Sequence, residues 1–221
     1  MKYDIILFDL DGTLTDPKEG ITRCVQYALA KMNIREDDLE KLVPFIGPPL
    51  MWTFKEAYHL SDEDANKALG YYRERFSTVG LYENAVFPGI PELLAKLTTQ
   101  GKTLFVATSK PTVYSVRILE HFGLHQYFQA IIGSNLDGTR VEKNEVIEYL
   151  LSELGDHDSA KVLMVGDRKH DIWGAQKNGI DVVGVGYGYG SAEELSSAMP
   201  NYLVKTVNEL EELLLGRIAC G

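Results

Sequence analysis

The chain has little cysteine, no long apolar run and too few basic residues for its acids. Each shortage removes a class of protein. Only two cysteines, Cys24 and Cys220, occur in 221 residues, which gives neither a disulfide framework nor the spacing of a metal knuckle. A reducing, cytoplasmic setting is the expectation. The first apolar stretch, Ile5-Ile6-Leu7-Phe8, runs straight into Asp9 and is too short for an export signal or a membrane span. Cys220 is next to last rather than fourth from the end, so the prenylation pattern is missing. Lys and Arg total 22 against 32 Asp and Glu, a formal charge of −10. That balance argues against a nucleic-acid polymer or an anionic membrane as partner. No internal repeat or low-complexity tract occurs. What remains, 45% hydrophobic and 24% charged, is the composition of a globular protein with a sizeable core.

The pattern along the chain alternates short apolar runs with helical stripes. The runs are Asp4–Phe8, Thr103–Ala107, Ala130–Ile132, Val162–Val165 and Val182–Val185, continuous as strands buried on both faces should be. Ile90, Leu93, Leu94 and Leu97 make one stripe between them, and Val113, Val116, Leu119 and Phe122 another, with Pro111 as a first-turn proline. Val146, Ile147, Leu150, Leu151 and Leu154 make a third. This alternation predicts an α/β fold built on a doubly wound parallel sheet. One interval, Asp16–Ala85, contains no convincing strand and only helical signals, far more chain than a crossover helix requires. We expect a helical cap domain at 16–85, inserted into a core of 1–15 and 86–221. Trp52 and Phe54, at helical spacing within it, are expected in its core.

Four fragments carry chemistry. Asp9-Leu10-Asp11-Gly12-Thr13 leaves the first strand at its carboxyl end, where ligands of parallel sheets bind. Both acids can face that crevice, although Asp, Gly and Thr are also ordinary turn residues. Gly166-Asp167-Arg168-Lys169-His170-Asp171 follows another apolar strand, with Asp171 placed either to cap the next helix or to join the cluster. Four acids converging on one crevice need a hard cation with oxygen ligands, and Mg²⁺ fits. Thr108-Ser109-Lys110 stands at a third strand tip, where a hydroxyl binds phosphate or caps a helix. Lys143 opens a helix, against the helix dipole. It either pairs with Glu142 or Glu145 at the surface or addresses a phosphate, and spacing does not choose between Lys143 and Lys110. The run Gly184 to Gly190, with Tyr187 and Tyr189, lacks the Lys-Ser/Thr ending of a P-loop and reads as a flexible loop at the crevice edge.

In order along the chain, these fragments resemble the haloacid dehalogenase-like hydrolase superfamily. Phe45-Ile46-Gly47-Pro48-Pro49-Leu50, and Gly166-Asp167-Arg168-Lys169-His170-Asp171-Ile172 with Gly174-Ala175, look like its phosphoglycolate phosphatase and 5′-nucleotidase branch. The resemblance implies a Mg²⁺-dependent hydrolase of a small phosphomonoester, phosphoglycolate or a 5′-nucleotide. Asp9 would be the nucleophile that forms an aspartyl-phosphate, and Asp11 the acid and then the base. An ordinary Asp titrates at about 3.9, so Asp11 must be raised by its surroundings. Asp9, the Asp11 carbonyl and Asp167 would hold the metal, with Asp171 orienting a water on it. Thr108, Ser109 and Lys143 would bind the phosphoryl oxygens, the family pattern favouring Lys143 over Lys110. A phosphoglucomutase-like transferase shares these residues. A receiver-like phospho-acceptor module shares the acids, hydroxyl and lysine but needs no cap.

Overall fold

The computed structural model describes residues 2–217, so Cys220 lies outside the described residues. Two compact units divide the chain: Met1–Asp16 with Val86–Gly221, and Pro17–Ala85.

The first unit is built on six strands: β1 (Ile5–Phe8), β2 (Thr103–Pro111), β3 (Ala130–Ser134), β4 (Val162–Gly166), β5 (Asp181–Val185) and β6 (Tyr202–Val204). Their order in the sheet is β3-β2-β1-β4-β5-β6. Every neighbouring pair is parallel. The chain therefore winds outward in one direction from β1 and in the other from β4, and the order reverses between these two strands. In an open α/β sheet that reversal splits the crossovers apart and opens a crevice at the strands' carboxyl ends.

Both faces of the sheet are covered. Leu7, Phe105, Ala107, Val162, Met164 and Val182 pack with Val146, Ile147, Leu150, Ile172, Ala175 and Leu195. The alternate residues Ile6, Phe8, Leu104, Leu163 and Val165 are equally buried, which is why the strands read as unbroken apolar runs. The helices of this unit are α4 (Ile90–Thr99), α5 (Thr112–His121), α6 (Lys143–Leu154), α7 (Lys169–Lys177), α8 (Ala192–Ser197) and α9 (Val207–Leu214). Each of α4, α5, α6 and α7 begins within a few residues of a local signal. Gly89 supplies a left-handed turn before α4 (φ 89°) and Pro91 its first turn. Pro111 precedes α5 rather than starting it, because its backbone still belongs to β2. The edge strand β6 is three residues long, with Leu203 exposed and Val204 buried.

The second unit is helical: α1 (Lys18–Lys31), a 3-10 segment Leu39–Phe45, α2 (Leu50–Tyr58), α3 (Asp62–Arg75) and a wide turn Phe76–Gly80. Its core is Ile21, Val25, Ala28, Leu29, Leu42, Phe45, Phe54, Ala65, Ala68 and Phe76. Phe54 is buried as expected, but Trp52 is 57% exposed. Positions two apart on a helix point about 200° apart, so both cannot face one core. Arg75 grips both oxygens of Glu83, at 2.6 and 2.8 Å. Among the described residues no helix is long and apolar enough to cross a membrane.

Candidate active site

Asp9 follows β1 and Asp167 follows β4, the two strands that flank the reversal point. The Asp9 N–H donates to the Val165 carbonyl at 2.9 Å, so the ladder holds the two strand ends side by side. Beyond Asp9 the chain turns at once: the Gly12 N–H donates to the Thr15 carbonyl at 2.7 Å and the Leu14 N–H to that of Leu10 at 2.9 Å. Gly12 sits at φ 81°, and a Cβ there would fall 2.1 Å from Asp167 Oδ2. Only glycine permits both the turn and the close approach.

Asp9, Asp11, Asp167 and Asp171 are all buried, and so is Lys143, at 5% exposure. The Lys143 ammonium lies 2.7 Å from Asp9 Oδ1 and 2.8 Å from Asp171 Oδ1, and donates to the Ala107 carbonyl at 3.0 Å. It is not the surface partner of Glu142 or Glu145. Lys110 lies 2.7 Å from Asp11 Oδ2, so both lysines reach the cluster, on different acids. Asp171 does both things open to it: its Oδ2 accepts the Arg168 N–H at the start of α7, at 3.0 Å, while Oδ1 faces Lys143. Thr108 is buried and its hydroxyl oxygen accepts the Lys110 N–H at 3.3 Å. Ser109 is tied to the neighbouring strand, its carbonyl accepting the Ser134 hydroxyl at 2.8 Å. Neither residue caps α5, whose N-cap is Pro111.

The run from Gly184 to Gly190 is not a loose loop. Its tyrosines and glycines pack onto the two acidic turns. The Tyr189 N–H donates to Asp167 Oδ2 at 2.7 Å, and the Tyr187 hydroxyl to the Thr13 carbonyl at 3.0 Å. The Tyr189 hydroxyl meets Asp16. A Cβ on Gly188 would fall 2.3 Å from the Gly12 carbonyl, and one on Gly190 2.1 Å from that of Asp167. Glycine at every second position was the available signal: a strand-like stretch without side chains on one face lets another backbone come close.

Burial governs the electrostatics. It raises Asp11 above the usual carboxylate range, with Lys110 pulling the other way less strongly. Asp167 is raised by burial and by the charges of Asp171 and Asp9. Asp171 is pushed up to about 6 by burial, against the pull of Lys143. Four carboxylates against two ammonium groups leave the cluster two negative charges out of balance when all are ionised. Asp9, Asp167 and Asp171 each present an oxygen, all within 4.8 Å of one another. Asp167 Oδ1 is buried without a hydrogen-bond partner among the described residues. An all-oxygen donor set, a deficit of two charges and an orphaned buried oxygen fit a hard divalent cation.

Residues 6–185 match the haloacid dehalogenase-like hydrolases. A 5′-nucleotidase of Pseudomonas aeruginosa is 51% identical over 97% of this chain and 96% of its own. The tyrosine-protein kinase PtkA of Mycobacterium tuberculosis is 39% identical, over 95% of this chain and 72% of its own. A phosphoglycolate phosphatase of Yersinia pestis is 30% identical, over 89% and 86%. Among solved structures, a predicted phosphatase from Clostridium acetobutylicum superposes with a TM-score of 0.93 at 49% identity, covering 97% of this chain and 99% of that one. The chain belongs to the haloacid dehalogenase-like hydrolase family and is a phosphatase, acting on a phosphate ester.

Proposed function

We propose that the chain is a Mg²⁺-dependent phosphomonoester hydrolase of small metabolites that works through a phosphoryl group on Asp9. One observation carries the reading. Two buried acids two residues apart, Asp9 and Asp11, are each held by a separate buried lysine, so one turn offers two carboxyl groups in different settings. Paired acids with divided environments are how one site holds a nucleophile beside a proton donor.

Asp9 attacks phosphorus in line with the leaving oxygen, and Asp11, raised by burial, protonates that oxygen as it departs. Asp11 then takes a proton from the water that cleaves the acyl phosphate, which restores Asp9. Lys143 keeps Asp9 aimed and, with Thr108 and Ser109 at the tip of β2, faces the phosphoryl oxygens. Mg²⁺, held by Asp9, the Asp11 carbonyl and Asp167, would offset the repulsion between an anionic substrate and an anionic site. Both oxygens of Asp171 are engaged, by Lys143 and by the Arg168 N–H, which suits it to orienting rather than to binding the metal directly. Unit 17–85 is the cap in this reading, and the setting is cytoplasmic.

A 5′-nucleotide stands ahead of phosphoglycolate as substrate, because the relative named for the former is 51% identical and that named for the latter 30%. The PtkA likeness at 39% keeps transfer of the phosphoryl group to another acceptor as a second reading. Steady release of inorganic phosphate from 4-nitrophenyl phosphate with Mg²⁺ supports hydrolysis, and its absence beside a phosphorylated acceptor supports transfer. Ranking 5′-nucleotides, 2-phosphoglycolate and sugar phosphates by kcat/KM names the substrate class.

A further inference from the structure

We propose that Lys110 is the positioning residue of the leaving-group acid: its ammonium occupies Asp11 Oδ2, so that the proton Asp11 delivers rides on Oδ1. The inference rests on Asp11 being that acid.

The contact is short and enclosed. Lys110 Nζ is 2.7 Å from Asp11 Oδ2, and the two side chains are 6% and 10% exposed. Asp11 Oδ1 is buried with no hydrogen-bond partner among the described residues. An ammonium donates and never accepts, so the oxygen facing it cannot also point a proton at it. A protonated Asp11 must carry its hydrogen on the other oxygen, the one without a partner among the described residues. Without Lys110 the carboxyl group could turn over and present either oxygen to the substrate.

The backbone around Lys110 is built to hold it there. Pairing of β2 with β3 shifts register between Ala107 and Pro111, and such a bulge re-aims the side chains that follow it. The Lys110 N–H donates to Thr108 Oγ1 at 3.3 Å, the Ser134 hydroxyl to the Ser109 carbonyl at 2.8 Å, and the Gly133 N–H to Thr112 Oγ1 at 2.9 Å. Gly133 lies so close that a Cβ there would fall 2.1 Å from the Lys110 carbonyl oxygen. The two lysines thus divide the work: Lys143 holds Asp9 and Asp171, and Lys110 holds Asp11.

The proton balance follows. In the first step an Asp9 oxygen bonds to phosphorus, the bond from phosphorus to the leaving oxygen breaks, and its electron pair takes the proton from Asp11 Oδ1. The Asp11 carboxylate so formed faces the Lys110 charge. In the second step water attacks phosphorus, its proton returns to Asp11 Oδ1, and the bond from Asp9 to phosphorus breaks.

A residue that only positions an acid matters in proportion to how badly the leaving group needs a proton. The test compares kcat/KM for 4-nitrophenyl phosphate, whose leaving group departs readily as an anion, with that for the best alkyl phosphate of the panel above. Lys110→Met should lower the alkyl value about 10²-fold and the aryl value less than about 10-fold. Lys110→Arg should restore most of the alkyl rate. Lys110→Gln, which keeps a donor without the charge, serves if the methionine variant fails to fold by circular dichroism. Equal losses on both substrates, or no loss on either, overturn the assignment. Asp11→Asn run alongside separates the two claims. If it too loses both substrates equally, the leaving-group role of Asp11 falls. If it is selective and the Lys110 variants are not, only Lys110 falls.

Discussion

The carboxyl end of the parallel sheet and the helical unit 17–85 treat charge in opposite ways. At the sheet, four carboxylates and two lysines are buried around one turn. In the helical unit, pairs such as Lys67 with Glu63 and Lys55 with Asp62 stand in solvent. Arg75 with Glu83 is the more enclosed pair there, at 21% and 23% exposure. Burying an ion costs several kcal/mol that hydrogen bonds and partners must offset. A surface pair costs and gains little. The end that bears the burial cost is the end to which we assign the chemistry.

Four variants probe the two regions. Asp9→Asn should lower kcat by more than about 10³-fold while the circular dichroism spectrum stays that of the parent. Lys143→Met strands two buried carboxylates and should cost about 3–5 kcal/mol of stability in urea denaturation, together with nearly all activity. Glu83→Gln removes the enclosed pair of the helical unit and should cost about 1–2 kcal/mol at neutral pH without touching the acidic site. Arg75 holds Glu83 below its ordinary 4.5. That stability is therefore present above about 4.5 and lost as pH falls through the lowered value, and parent and Glu83→Gln should converge in acid. Lys67→Ala should leave the denaturation midpoint where it was.

Much of the site could be read from the sequence, for a physical reason. Strands buried on both faces are unbroken apolar runs, so Asp9 after Ile5-Ile6-Leu7-Phe8 and Asp167 after Val162–Gly166 were visible as strand tips. Parallel topology then brings strand tips to one edge. What stayed hidden depends on contacts between distant segments. Lys110 meets Asp11 from another strand, beside a register shift between β2 and β3, and no local spacing encodes that meeting. The tight packing of 184–190 arises because Asp167 and Gly12 are its neighbours in space, and from composition alone the same glycines read as slack. Strand β6, at an edge and three residues long, buries too little to leave a pattern. Trp52 lies outside the core because it is two residues from Phe54, on the opposite side of α2.

In the proposed function the buried acidic turn forms a covalent phosphoryl intermediate on Asp9. Mixing the enzyme with Mg²⁺ and 4-nitrophenyl phosphate, quenching in acid during turnover and mapping the peptides by mass spectrometry tests it directly. One added phosphoryl group is expected on the peptide containing Asp9, absent from Asp9→Asn. Full turnover with the phosphoryl group on another residue, or undiminished turnover by Asp9→Asn, would contradict it.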